Sequence, residues 1–120
     1  MARILLADDD AATRDLVRRA LEADGHTVQA TQDGSEALDH IEGADAQKFD
    51  LLVTDVEMPM LDGIALAQRA LLKPNMRVLL MSGFAEQLER AKVLSSAQAA
   101  IISKPFTLED VRNKVRALLR

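Results

Sequence analysis

Three acids, two of them adjacent, a hydroxyl and an ammonium stand at the ends of four well-separated apolar runs in this 120-residue chain. Asp8 and Asp9 follow Ile4-Leu5-Leu6-Ala7, and Asp55 ends Leu51-Leu52-Val53-Thr54. Ser82 follows Val78-Leu79-Leu80-Met81, and Lys104 comes directly after Ile101-Ile102-Ser103. Gathered in one cleft, ionised carboxylates repel one another. At ~4 Å and an effective dielectric of ~20, each close pair costs about 4 kcal/mol. A divalent cation removes that cost. An all-oxygen set only partly filled by protein suits Mg²⁺ with waters in the remaining positions. A phosphoryl group drawn to such a cation meets Asp55, and a carboxylate is a competent nucleophile for its transfer, giving an aspartyl phosphate. The Lys104 ammonium and the Ser82 hydroxyl are suited to the charged equatorial oxygens of the transferred group.

For these groups to meet, the apolar runs must be strands ending on one edge. The pattern supports this, because β-type runs alternate with helical spacing. Strands are predicted at Arg3–Ala7, Thr27–Thr31, about Phe49–Thr54, Arg77–Met81 and Ala99–Ser103. Helices are predicted from about Ala11 to Ala23, Ser35 to Glu42, Ile64 to Lys73, Ala85 to Leu94, and after Thr107. The first helix has Ala12, Leu16, Val17, Ala20 and Ala23 on its apolar stripe; the last has Leu108, Val111, Val115, Leu118 and Leu119. Asp10 is placed to cap the first helix, and Gly25 can take its left-handed stop. Thr107 with Asp110 forms a variant capping box. Asp33-Gly34 and Asp62-Gly63 are turn signals, Pro59, Pro74 and Pro105 break the chain, and Gly43 to Lys48 is polar linker. Strands this uniformly apolar are covered on both faces, as parallel strands are. The expected fold is α/β, a doubly wound five-stranded parallel sheet. Ligands in such folds gather at the carboxyl ends of the strands.

Composition bounds the function. The length suits one domain spanning residues 1–120, and the 48% apolar content opposes disorder. A net charge of −4, with no basic run and three phenylalanines as the only aromatics, opposes a nucleic-acid partner. The absence of cysteine excludes disulfides and thiolate metal sites and is compatible with a reducing cytoplasm. Neither a signal-peptide layout nor a membrane-spanning apolar stretch is present in the sequence, so a cytoplasmic, soluble chain with no membrane partner is expected.

The order Asp-Asp, Asp-x-x-Met-Pro-x-x-Asp-Gly, Ser-Gly, Lys-Pro resembles the receiver domain of bacterial two-component response regulators, and the resemblance covers the whole chain. It implies the flavodoxin-like strand order 2-1-3-4-5. It also implies Asp55 as phosphoacceptor, and Mg²⁺ held by Asp9, Asp55 and the backbone carbonyl of Glu57, with Asp8 helping directly or through water. Lys104, on an expected cis bond to Pro105, pairs with the phosphoryl group, and Ser82 is the switch hydroxyl. The implied donor is a histidine kinase or histidine phosphotransfer protein, and the chain catalyses only its own phosphorylation and dephosphorylation. It ends soon after its last predicted helix, so no output domain is expected. Output would be protein contact through the fourth helix, fifth strand and fifth helix. The runs Ile4-Leu5-Leu6-Ala7-Asp8, Arg19-Ala20-Leu21-Glu22, Gly25-His26-Thr27-Val28, Ser82-Gly83-Phe84-Ala85 and Lys104-Pro105-Phe106 are similar to alphaproteobacterial single-domain receivers that serve as adaptors for a Clp protease. Phosphorylation turns such adaptors off.

One position departs from the family pattern. Many receivers carry Tyr or Phe three residues before the lysine, where this chain has Ile101. Phe84, two residues past Ser82, is expected to report the state of the site instead, with Gly83 giving the loop freedom to move. Glu57 and Phe84 are also expected to flank the approach of a hydrolytic water. Several groups read as structural: Asp10 as a cap, Met58 and Ile101 as packing, His26 and His40 as surface residues without a metal partner, and Arg18-Arg19 as a solvated helix face. A haloacid-dehalogenase-type phosphatase would use the same aspartyl phosphate, with Asp55-Val56-Glu57 as a faint match to its acid pair. It usually has a second aspartate and cap segments that this sequence lacks. A flavodoxin-like electron carrier is opposed by the scarcity of aromatics to stack on a flavin.

Overall fold

In the computed structural model, which describes residues 1–43, 48–94 and 96–120, strands and helices alternate along the chain. The elements are β1 (Arg3–Ala7), α1 (Ala11–Ala23), β2 (Thr27–Thr31), α2 (Gly34–Glu42), β3 (Leu51–Asp55), α3 (Gly63–Ala70), β4 (Arg77–Ser82), α4 (Ala85–Lys92), β5 (Ala99–Ser103) and α5 (Leu108–Leu118). The five strands form one sheet in the order β2-β1-β3-β4-β5, and every pairing is parallel. Leu52 and Val53 of the central strand face Leu5 and Leu6 on one side and Val78 and Leu79 on the other.

Alternate residues along each strand point to opposite faces, and each face has its own apolar core. Ile4, Leu6, Leu51, Val53, Leu79 and Met81 pack with Val17 and Leu21 of α1 and Val111, Val115 and Leu118 of α5. Leu5, Ala7, Leu52, Val78 and Leu80 pack with Ala37 and Ile41 of α2, Leu66 and Ala67 of α3, and Ala91 of α4. The sheet is therefore covered on both sides. This is why its central strands read as unbroken apolar runs.

Local signals set the helix ends. The Asp10, Asp33 and Asp62 carboxylates accept from the backbone N–H groups of Thr13, Glu36 and Ala65. Thr107 and Asp110 make the expected capping box. Gly25 has φ +92° just past α1, where a side chain would be strained. Gly63 is required by crowding: a Cβ there would overlap the Asp55 carbonyl oxygen.

Several expectations change in detail. β3 begins at Leu51 and includes Asp55; Phe49 is instead buried ahead of it, beneath the Arg3 guanidinium 5.0 Å from its ring centroid. α3 stops at Ala70, because Leu71 to Met76 form tight turns in which Lys73 N–H donates to Ala70 and Met76 N–H to Lys73. α4 ends at Lys92 rather than Leu94. Leu16, Ala12 and Ala23 are exposed, and the buried stripe of α1 is Val17, Ala20 and Leu21. The histidines are half-buried and engaged: His26 Nδ1 accepts from Ala2 N–H at 3.2 Å, and His40 lies edge-on to Phe49. Arg18 and Arg19 both pair with Asp15 on the helix surface. Of the polar linker, residues 44–47 lie outside the described residues.

Candidate functional site

β1, β3, β4 and β5 end on one edge, and this edge gathers the acids. Asp8 follows β1 directly and is fully buried; Asp9 beside it is exposed. Asp55 is the last residue of β3 and is 7% exposed. Carboxylate oxygens of Asp8, Asp9 and Asp55 all lie within 4.8 Å of one another. Lys104 leaves the end of β5 on a cis bond to Pro105 and brings its Nζ to 3.2 Å from Asp55 Oδ2. Its backbone N–H donates to the Ser82 carbonyl at 2.7 Å, tying the ends of β4 and β5 together. Four of the five groups expected to meet, Asp8, Asp9, Asp55 and Lys104, are thus in one place.

The electrostatics follow from this crowding. Burial pushes the Asp8 carboxyl up to about 6; Asp55 and Asp9 add to the rise, while the Asp10 N–H and Lys104 oppose it. Asp55 is also raised by its burial, with the Lys104 ammonium pulling against that shift and Asp9 adding to it. Asp8 Oδ1 accepts from the Asp10 N–H at 2.9 Å. Its other oxygen, Oδ2, is buried with no hydrogen-bond partner among the described residues. An orphaned carboxylate oxygen beside two further carboxylates is poor chemistry for the protein alone. It is good chemistry for a hard divalent cation, so the residues present fit Mg²⁺.

The remaining expected residues lie around the opening. A cavity of about 620 Å³ reaches Asp55 and is walled by Asp9, Glu57, Phe84, Gln87 and Lys104. Phe84 is 67% exposed at its mouth and occupies the N-cap position of α4 without a side-chain cap. Ser82 is buried, and its hydroxyl donates to the Phe84 carbonyl at 3.4 Å, the long limit of a hydrogen bond. Ile101 is half-buried and packs against the core that includes Leu80. Met58 is buried, and its sulfur accepts from the Thr54 hydroxyl at 3.8 Å. A second cavity, of about 400 Å³, lies among Asp50, Arg77 and His26 near the other end of the strands. Its carboxylate, Asp50, accepts from the Arg3 N–H.

Three contributors were not foreseen from sequence. Arg14 donates to the Asp8 carbonyl at 2.8 Å and holds the acidic turn from α1. The Thr54 hydroxyl also lies 2.9 Å from the Asp55 carbonyl, to which it can donate. Gln87 is 94% buried on α4 and joins the two loops that flank the cavity. The available sequence signal was Gln87 sharing the inward face of α4 with Ala91, one turn on, where a polar residue requires partners.

Known proteins share the fold and the sequence pattern of this chain. Residues 4–116 match the family model of the response regulator receiver domain. The chain is 36% identical to the response regulator receiver protein CpdR of Brucella abortus, over 99% of this chain and 98% of that protein. It is 38% identical to the response regulator MprA of Mycolicibacterium vanbaalenii, covering 98% of this chain but only 50% of that protein, so it spans about half the length of that relative. The crystal structure of a response regulator receiver protein from Sinorhizobium medicae superposes with a TM-score of 0.87 at 32% identity, covering 98% of this chain and 94% of the other.

Proposed function

The chain belongs to the response regulator receiver family, and from that premise we propose that it is a stand-alone phosphorylation switch with Asp55 as phosphoacceptor. One observation carries the reading: Asp55, nearly buried, lies 3.2 Å from the Lys104 ammonium and within a cluster of carboxylates that includes an unpartnered oxygen of Asp8.

The donor is a phosphohistidine of a histidine kinase or phosphotransfer protein. A carboxylate oxygen of Asp55 attacks phosphorus in line, and the P–N bond breaks with its electron pair leaving on the imidazole nitrogen. Lys104 favours the ionised, nucleophilic form of Asp55 and afterwards pairs with a phosphoryl oxygen. Asp8, Asp9, Asp55 and the Glu57 carbonyl would hold Mg²⁺, which when bound offsets the repulsion of the acids and neutralises phosphoryl charge. The Ser82 hydroxyl, weakly engaged by the Phe84 carbonyl, is free to turn to the phosphoryl oxygen. Phe84, exposed at the same loop, would report that change, and Ile101 would pack without swinging.

Output is contact with a downstream protein through α4, β5 and α5, in a cytoplasmic setting, without nucleic-acid or membrane partners. Among the described residues, no helix is long and apolar enough to cross a membrane. The similar runs noted above support an adaptor role for a Clp-type protease. Incubation with a small-molecule phosphodonor and Mg²⁺ should add the mass of one phosphoryl group, and Asp55→Asn should abolish the gain. Unchanged labelling of that variant refutes the assignment.

A further inference from the structure

Gln87 connects the two loops beside Asp55. Its amide oxygen accepts from Gly83 N–H at 2.8 Å, and its amide nitrogen donates to Glu57 Oε2 at 2.7 Å. The orientation of the amide is settled by its neighbours, since a flip would set N–H against N–H and oxygen against carboxylate. Gln87 is 94% buried, so neither end is readily replaced by water. Glu57, two residues past Asp55, is otherwise an exposed side chain with rotamers to spare. The strut holds it towards α4, along the wall of the cavity through which Asp55 is reached. A second link, Arg90 to Asp62 at 2.6 Å, fastens α4 to the same stretch between β3 and α3.

We propose that Gln87 is a positioning residue that prolongs the phosphorylated state, by holding the Glu57 carboxylate across the path of the hydrolysing water. The proposal rests on Asp55 being the phosphoacceptor. Hydrolysis requires a water in line with the P–O bond to Asp55. That water attacks phosphorus, the bond breaks with its electron pair returned to the carboxylate, and the proton goes to solvent or released phosphate. A side chain fixed in the approach obstructs the water sterically, whether it ends in a carboxylate or an amide. Released, the Glu57 side chain swings into solvent and the path opens.

The test labels the 120-residue chain with a small-molecule phosphodonor and Mg²⁺, removes the donor, and follows phosphoryl loss by intact mass. Gln87→Leu and Gln87→Glu should both lose the group about fivefold faster, as expected if a hydrogen bond to a charged group is felt in part at the barrier. The Gly83 amide NMR signal should shift in Gln87→Leu and persist in Gln87→Glu, which keeps an acceptor for it. Combining Gln87→Glu with Glu57→Gln restores a donor opposite an acceptor at both ends, and the lifetime should return towards that of the parent. Equal lifetimes for parent and Gln87→Glu, or an exchange variant as short-lived as Gln87→Glu alone, would overturn the proposal. Failure of the Asp55 reading looks different, because the parent chain then takes up no phosphoryl group.

Discussion

Replacing Asp8 by Asn should stabilise the metal-free protein. Asp8 is fully buried, its pKa is raised from 3.8 to about 6 chiefly by that burial, and its Oδ2 has no hydrogen-bond partner among the described residues. An acid whose pKa is higher folded than unfolded favours the fold while protonated. That contribution is complete below 3.8 and is lost as pH rises through about 6. The shift corresponds to about 3 kcal/mol of lost stability above both values. Asn keeps an oxygen for the Asp10 N–H and places N–H donors beside Asp9 and Asp55, so no new unpaired group is created. At neutral pH in EDTA, the variant should therefore gain up to about 3 kcal/mol, or roughly 10 °C in Tm for a domain of this size. Thermal unfolding in EDTA from acid to neutral pH is the assay. Over that range the parent should lose stability relative to the variant, and added Mg²⁺ should raise the parent Tm more than that of the variant. Equal or lower stability of Asp8→Asn at neutral pH, with the same pH dependence as the parent, refutes the reasoning.

Three further outcomes follow from the same geometry. Gly63→Ala sets a methyl group onto the Asp55 carbonyl oxygen and should cost at least about 2 kcal/mol by urea unfolding; a neutral effect would show that the β3–α3 connection yields. Lys104→Met removes the ammonium 3.2 Å from Asp55 and should slow phosphoryl uptake about tenfold or more, as read by the time course of intact mass. Thr107→Ala removes the capping box of α5 and should cost about 1 kcal/mol in chemical denaturation while leaving phosphoryl uptake unchanged.

The reactive centre was legible in sequence because each strand in question is an apolar run that stops at a polar residue. A parallel sheet carries those stops to one edge. Asp8, Asp9, Asp55 and Lys104 needed only that rule to be brought together. The Asp10 and Thr107 caps were legible for a related reason, since each acts on an amide three residues away; Asp33 and Asp62, read as turn residues, prove to cap α2 and α3 in the same way. What depended on distant partners was not. Leu16 fits a helical apolar stripe as well as Leu21 does, and only the position of the sheet decides which is buried. Leu71-Leu72-Lys73 continues the helical composition of α3, yet the chain turns there to reach Met76 and β4. Gln87 reads as an ordinary polar helix residue until Gly83 and Glu57, 4 and 30 positions away, supply its partners. The Ser82 hydroxyl, expected to serve Asp55, donates to the Phe84 carbonyl, a choice set by the local turn.

The convergence of buried acids is proposed to make one of them a nucleophile. The most direct measurement locates the acyl phosphate. After reaction with a phosphodonor and Mg²⁺, borohydride reduces an aspartyl phosphate to the alcohol, and peptide mass spectrometry identifies the altered residue. The account predicts modification at Asp55 alone, and none when Mg²⁺ is replaced by EDTA. Modification at Asp8 or Asp9, or labelling of Asp55 that proceeds equally well in EDTA, would contradict it.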